Sequence, residues 1–259
     1  MKRAMLVLCL VAFTLSGKAQ VLKSSLLNGY KQGDKLEKAV YLNSNEPIKK
    51  DTWCKALAPN SDESITNPTI GEGLTYEGYP EKGPSICLGG FPVGTRGSRF
   101  SVCSISDRND YCRGTIYLSF LADFSKVASS RVVDFIALSA NHTGDYLRAR
   151  VFVGKVDDEH IRFGTNLLRI NAESFKSHAL NKTHLLVLKL DYDRNEVSLF
   201  VDPTLAAEEP QPDIVAKGDD SNNKLKGSIR SISIRNRNDL TGNIGNFRLS
   251  SNWTGVISQ

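Results

Sequence analysis

The stretch HLLVLKLDYDRNEVSLFVDP, residues 184–203, holds two dense apolar runs around a polar centre. Leu186, Leu188 and Leu190 recur with the period of two that places side chains on one face of a strand, and Val197, Leu199 and Val201 resume it after the break. Between them Asp191, Asp193 and Glu196 fall at a D-x-D-x-x-E spacing that suggests a catalytic set of carboxylates. The alternation stops across Asp193, Arg194 and Asn195, however, and Asp and Asn favour turns because their side chains bond local backbone. The acids therefore predict a hairpin turn between two strands, with Glu196 opening the second, rather than a catalytic ladder on one strand face.

The surrounding chain repeats that pattern. GTIYLSFLADF (114–124), RVVDFIALSAN (131–141), DYLRARVFVGKV (145–156) and SIRSISIRN (228–236) are rich in β-branched and aromatic residues and are mostly separated by Gly, Asn, Asp or Ser. Both faces of 184–190 are apolar, which predicts a strand covered on both sides. Only AESFKSHAL (172–180) suggests a short helix, and TLAAEEPQPDIVAKGDDSNNKLK (204–226), with two prolines and many charges, reads as a long surface loop. Short strands without long amphipathic helices between them predict an antiparallel two-sheet sandwich.

The ends of that body are also legible. Lys2 and Arg3, the apolar run 4–15 and the small and polar residues SGKAQ (16–20) have the order of a secretory signal peptide, so residues 1–19 are expected to be removed and 20–259 to form one domain. The apolar run is too short for a membrane span, and Lys18 stands where a lipid-bearing Cys would be needed, so the protein is expected to be secreted or periplasmic, or associated with the cell surface without a lipid anchor. Removing Lys2, Arg3 and Lys18, three cations and no acids, lowers the formal charge from +5 to +2. That balance argues against nucleic acid as a partner.

Cys54, Cys87, Cys103 and Cys112 remain, an even number in an exported chain, which favours disulfides with three connectivities open. The polar SISDRNDY (104–111) makes Cys103–Cys112 the easy pair and leaves Cys54–Cys87. No C-x-x-C occurs, which argues against zinc on these thiols.

At this depth 183–213, SIRSISIRN (228–236) and NIGNFRLSSNWTGV (243–256) together resemble concanavalin A-like, laminin G-like jelly-roll proteins of the secreted Bacteroidetes type. Upstream YKQGDKLEKAV (30–40), GLTYEGYPEKG (73–83) and GTIYLSFLADF (114–124) are similar to that group's opening segments. The resemblance implies an antiparallel jelly-roll sandwich and, for function, either binding of carbohydrate or a cell-surface partner, glycan cleavage, or a structural and adhesive role. Related jelly rolls hold structural calcium near the closing strand with an acidic residue. Here that strand has Asn243, Gly245 and Asn246 and no acid, which puts calcium in doubt, and no other cofactor is expected.

No catalytic constellation stands out. His142, His160, His178 and His184 lie in separate segments without a metal-binding motif and read as hydrogen-bonded or solvated, and DDEH (157–160) reads as a solvated acidic loop. The best candidate for ligand binding is the strand face Tyr146, Arg148, Arg150 and Phe152, because it mixes aromatic and planar cationic groups. Its competing reading is that the aromatics pack while the arginines pair with acids. Trp253 is expected to plug the sandwich end, and Trp53 to pack beside a disulfide at Cys54.

Overall fold

A computed structural model describes residues 21–43, 45–57, 67–91, 97–108, 110–144, 146–219 and 222–258. The expected signal segment lies outside the described residues. In chain order the strands are β1 (Val21–Ser24), β2 (Ala39–Val40), β3 (Trp53–Lys55), β4 (Thr69–Gly71), β5 (Ser85–Leu88), β6 (Ser98–Ser104), β7 (Thr115–Val127), β8 (Val133–Ser139) and β9 (Leu147–Lys155). They continue as β10 (His160–Leu167), β11 (Ile170–Glu173), β12 (His178–Ala179), β13 (Thr183–Asp191), β14 (Glu196–Val201), β15 (Ile214–Lys217), β16 (Ser231–Arg237) and β17 (Leu240–Ser250). A short helix, α1 (Trp253–Ile257), follows.

These strands form an all-β, two-sheet jelly-roll sandwich. One sheet has the order β15-β14-β13-β7-β17-β5-β4, with β1 also on β17; the other runs β11-β10-β9-β8-β16-β6-β3-β2, with β12 on β10. Every pairing is antiparallel except β2 with β3. The hairpin of residues 184–203 is β13–β14: Leu186 faces Val201, Leu188 faces Leu199 and Leu190 faces Val197, so the alternating apolar set all points into the space between the sheets. The opposing sheet fills that space with Phe135, Leu138, Val151, Val153, Phe163, Ile232 and Ile234, and the Phe124 and Phe135 rings meet edge to face at 5.1 Å. Burying a Leu, Ile, Val or Phe side chain contributes roughly 1.5–3 kcal/mol, so this layer is the main source of stability.

The turn of the hairpin is held by its own polar residues. Asp191 Oδ1 accepts from the Arg194 backbone N–H at 2.9 Å, Asn195 takes the left-handed conformation (φ 53°), and Asp191 faces Glu196 as the closing pair. Asn195 also accepts from the Leu225 N–H at 2.7 Å, which ties the turn to the following loop.

Part of the outer face of the first sheet is covered. Leu185, Val187, Tyr117, Leu121 and Phe200 pack under Tyr79 and the α1 residues Trp253, Val256 and Ile257. Trp253 thus covers a sheet face rather than plugging an end, with its indole N–H donating to the Ala206 carbonyl at 2.9 Å. The segment 172–180 is extended and carries β12 instead of a helix, and the 204–226 loop contributes strand β15, which pairs with β14. Trp53 lies in the core, donating to the Leu26 carbonyl at 3.1 Å, with no disulfide beside it.

No disulfide links the four cysteines, a correction to the expected Cys54–Cys87 and Cys103–Cys112 pairs. Cys54 packs with Tyr41, Phe100 and Val102 on the outer face of the second sheet, whereas Cys87, between core residues Ile86 and Leu88, turns to the outer face of the first. Packed sheets lie about 10 Å apart, beyond the roughly 7 Å Cα limit of a disulfide, and the two thiols point away from each other. Cys103 turns into the core, while Cys112 sits in the partly exposed turn before β7. Burial pushes the Cys54 thiol up to about 11, and burial raises that of Cys103 as well.

Candidate functional site

The outer face of the second sheet is the place where the sequence-selected residues gather. On β9, Ala149, Val151 and Val153 are core, so Arg150 and Phe152 alternate outward, while Arg148 sits at a break in the register with β8. Register places Asp134 of β8 opposite Phe152, and Arg235 of β16 opposite Phe100 of β6. Asp134, Arg235 and Arg237 carry no local signal in the sequence, yet they organise the face.

Asp134 is buried, accepts hydrogen bonds from two guanidiniums and has a third within ion-pair range. Arg235 Nη1 lies 3.0 Å and Arg237 Nη1 2.9 Å from its Oδ1, and Arg150 Nη1 is 4.0 Å from its Oδ2. Two of the guanidiniums also stack on rings, Arg150 over Phe152 at 5.0 Å and Arg235 over Phe100 at 4.5 Å. Arg235 donates from Nε to Ser98 Oγ at 3.0 Å, and Arg237 from Nε to Asp239 at 3.4 Å. Burial, then the neighbouring Arg237 and Arg150 charges, lower the Arg235 guanidinium against the pull of Asp134.

A guanidinium carries five N–H donors in a fixed fork. Among the described residues, the Nη2 groups of Arg150, Arg235 and Arg237 have no protein acceptor, and the three side chains keep 21–27% of their surface exposed. The face therefore presents oriented cationic donors. Its aromatics are a different matter: Phe152 is only 6% exposed beneath Arg150, whereas Tyr146 is 64% exposed ahead of the strand. Arg148 Nε is buried with no hydrogen-bond partner.

The acids that first suggested catalysis lie elsewhere. Asp191 and Glu196 line a 240 Å³ pocket on the outer face of the first sheet together with Lys189, Arg194 and Glu209, while Asp193 is exposed at the turn. Each of the pocket's carboxylates has a cation: Arg194 at 3.9 Å from Asp191, Lys217 at 3.0 Å from Glu196 and Lys189 at 2.7 Å from Glu209. Tyr117 adds a hydrogen bond to Glu209, and burial together with that carboxylate raises its phenol.

A second group unites residues that the sequence left in separate segments. His178 of β12 and His184 of β13 face one another across the inter-sheet space, their rings 5.5 Å apart, and both pack on Phe163. Asp202, at the exit of β14 with φ 50°, completes the group, and one ligand atom from each of the three lies within 4.8 Å of the others. His160 instead pairs with Asp157 at 2.8 Å, and Lys155 with Asp158 at 2.5 Å, so the DDEH turn is an exposed ion-paired loop.

No protein-family model matches the chain, and no curated protein does. Solved structures share its architecture. An arabinofuranosidase complexed with arabinofuranosyl-alpha-1,2-xylobiose superposes with TM-score 0.50 at 10% identity, over 78% of this chain and 45% of that one. The globular domain of T. cruzi calreticulin gives 0.49 at 12%, over 79% of this chain and 86% of that one. The lectin I-B4 from Griffonia simplicifolia gives 0.38 at 12%, over 76% and 97%. At 10% identity the likeness to the arabinofuranosidase is one of fold alone.

Proposed function

We propose that the protein is exported, does not catalyse, and binds an anionic glycan through the outer face of its second sheet. The observation that carries this reading is the trio Arg150, Arg235 and Arg237, held by one buried carboxylate with donors left over. Bidentate guanidinium recognition suits carboxylate and sulfate groups, and Arg is pre-organised for it where Lys is not. The uronate or sulfate of an acidic polysaccharide meets that requirement, with Tyr146 exposed nearby for a sugar face. The export part of the reading rests on the composition of residues 1–20, and no helix among the described residues is long and apolar enough to cross a membrane.

Isothermal titration of the protein with a polyuronate oligosaccharide and with a neutral glucan of equal length tests it. Binding to the acidic chain that weakens with salt, and drops at least about tenfold in Arg150→Ala/Arg237→Ala, is expected. Equal binding of the neutral chain, or an affinity unchanged in the double variant, would refute it.

A further inference from the structure

From the geometry we infer that His178, His184 and Asp202 form a binding site for a divalent first-row transition metal such as Zn2+. This site lies apart from the arginine face and does not rest on the glycan reading. His184 is 1% exposed and His178 7%, so two imidazoles are enclosed at one end of the sandwich beside Phe163. The Nε2 atom of His178 is buried and has no hydrogen-bond partner, an arrangement that is unfavourable unless something engages it.

The hydrogen bonds of His184 fix one of its protons. Its Nε2 lies 2.8 Å from the Ala179 carbonyl, which only accepts, so Nε2 carries a proton. Its Nδ1 lies 2.7 Å from Asp202 Oδ2. A metal ion held between Nδ1 and Asp202 leaves the Nε2–H bond to Ala179 intact and has His178 as its third ligand.

The supporting contacts match those of ligating residues. Histidine ligands characteristically donate their other ring N–H to a carbonyl or carboxylate, as His184 does to Ala179, and ligating carboxylates are themselves hydrogen-bonded. Asp202 Oδ1 accepts from the Leu185 backbone N–H at 3.0 Å. Two imidazoles and one carboxylate are a borderline donor set that suits Zn2+ better than Ca2+ or Mg2+. Three protein ligands leave a position for water or a ligand atom. Asp202 also lines an open groove of about 700 Å³ with Tyr76, Lys182, Thr183 and Leu205.

Titration of the purified protein with ZnCl2, and with CoCl2 as a spectroscopic probe, decides the matter. One equivalent of Zn2+ is expected to bind and raise the melting temperature, and Co2+ to give visible ligand-field bands without the thiolate charge-transfer band of cysteine ligation. Asp202→Asn, which keeps the backbone contact, and His178→Phe, which keeps the packing on Phe163, should each retain the native circular dichroism and weaken Zn2+ by at least about 100-fold. Absence of binding below about 100 µM, a thiolate band, or unchanged affinity in both folded variants would each overturn the assignment.

Discussion

Single side chains carry the chemistry of this sandwich through contacts that reach far along the chain. Asp134 is the clearest case, because one buried carboxylate holds Arg235 and Arg237 together and draws Arg150 toward them. Asp134→Asn keeps the shape and removes the charge, which leaves three guanidiniums facing one another. Breaking a buried ion pair costs about 3–5 kcal/mol, and partial exposure of the arginines reduces that, so a loss of about 2–3 kcal/mol in urea unfolding is expected. A loss below about 0.5 kcal/mol would show that Asp134 does not organise the face. Asp191 shows the opposite lesson: its place in a D-x-D-x-x-E spacing suggested catalysis, and its hydrogen bond to the Arg194 N–H makes it a turn residue.

Among the elements, β13–β14 and α1 decide which face of the molecule is open. The apolar residues Leu185, Val187 and Phe200 on the outer side of the hairpin are covered by Trp253, whose ring centre lies 5.0 Å from that of Phe200. Trp253→Ala removes this cover and is expected to cost about 3–5 kcal/mol of stability while leaving binding to the acidic glycan unchanged. A variant that keeps its melting temperature but loses glycan binding would move the binding site to the first sheet. The strand pattern on both sides of 184–203 made the covered hairpin legible, because Leu at 185 and Val at 187 had to be hidden from water as well as Leu186 and Leu188. The helix that hides them was not legible, since α1 is a single short turn whose reason to form is the face it lands on.

At the scale of the whole molecule, buried tyrosines anchor loops, Tyr30 locally and Tyr192 across the chain, and make the fold sensitive to alkali. Tyr30 donates to the Leu36 carbonyl, and Tyr192 to the carbonyls of Tyr111 and Gly227; burial first, with nearby thiols next, pushes both phenols up to about 12. A free phenol loses its proton near pH 10. The folded protein therefore holds these protons longer than the unfolded chain does, and their contribution to stability is full below about pH 10 and is lost as pH rises towards about 12. Phenolate absorbance at about pH 11 should show fewer than the protein's eight tyrosines ionised until it unfolds; eight titrating together near pH 10 in the native state would contradict this. The sequence by itself determined the strands, the turn at Asp193–Asn195 and the inward set of leucines and valines, because alternation is a local signal of period two. It also brought out Arg150 and Phe152 as an outward pair. Only the tertiary structure decided what meets them. Asp134 and Arg237 are 103 residues apart, and His178 meets Asp202 through two strands of different sheets. Strand order creates such neighbours, and no local periodicity encodes it; the same cause put Cys54 and Cys87 on opposite outer faces, where pairing Cys103 with Cys112 had left them as the remaining bond.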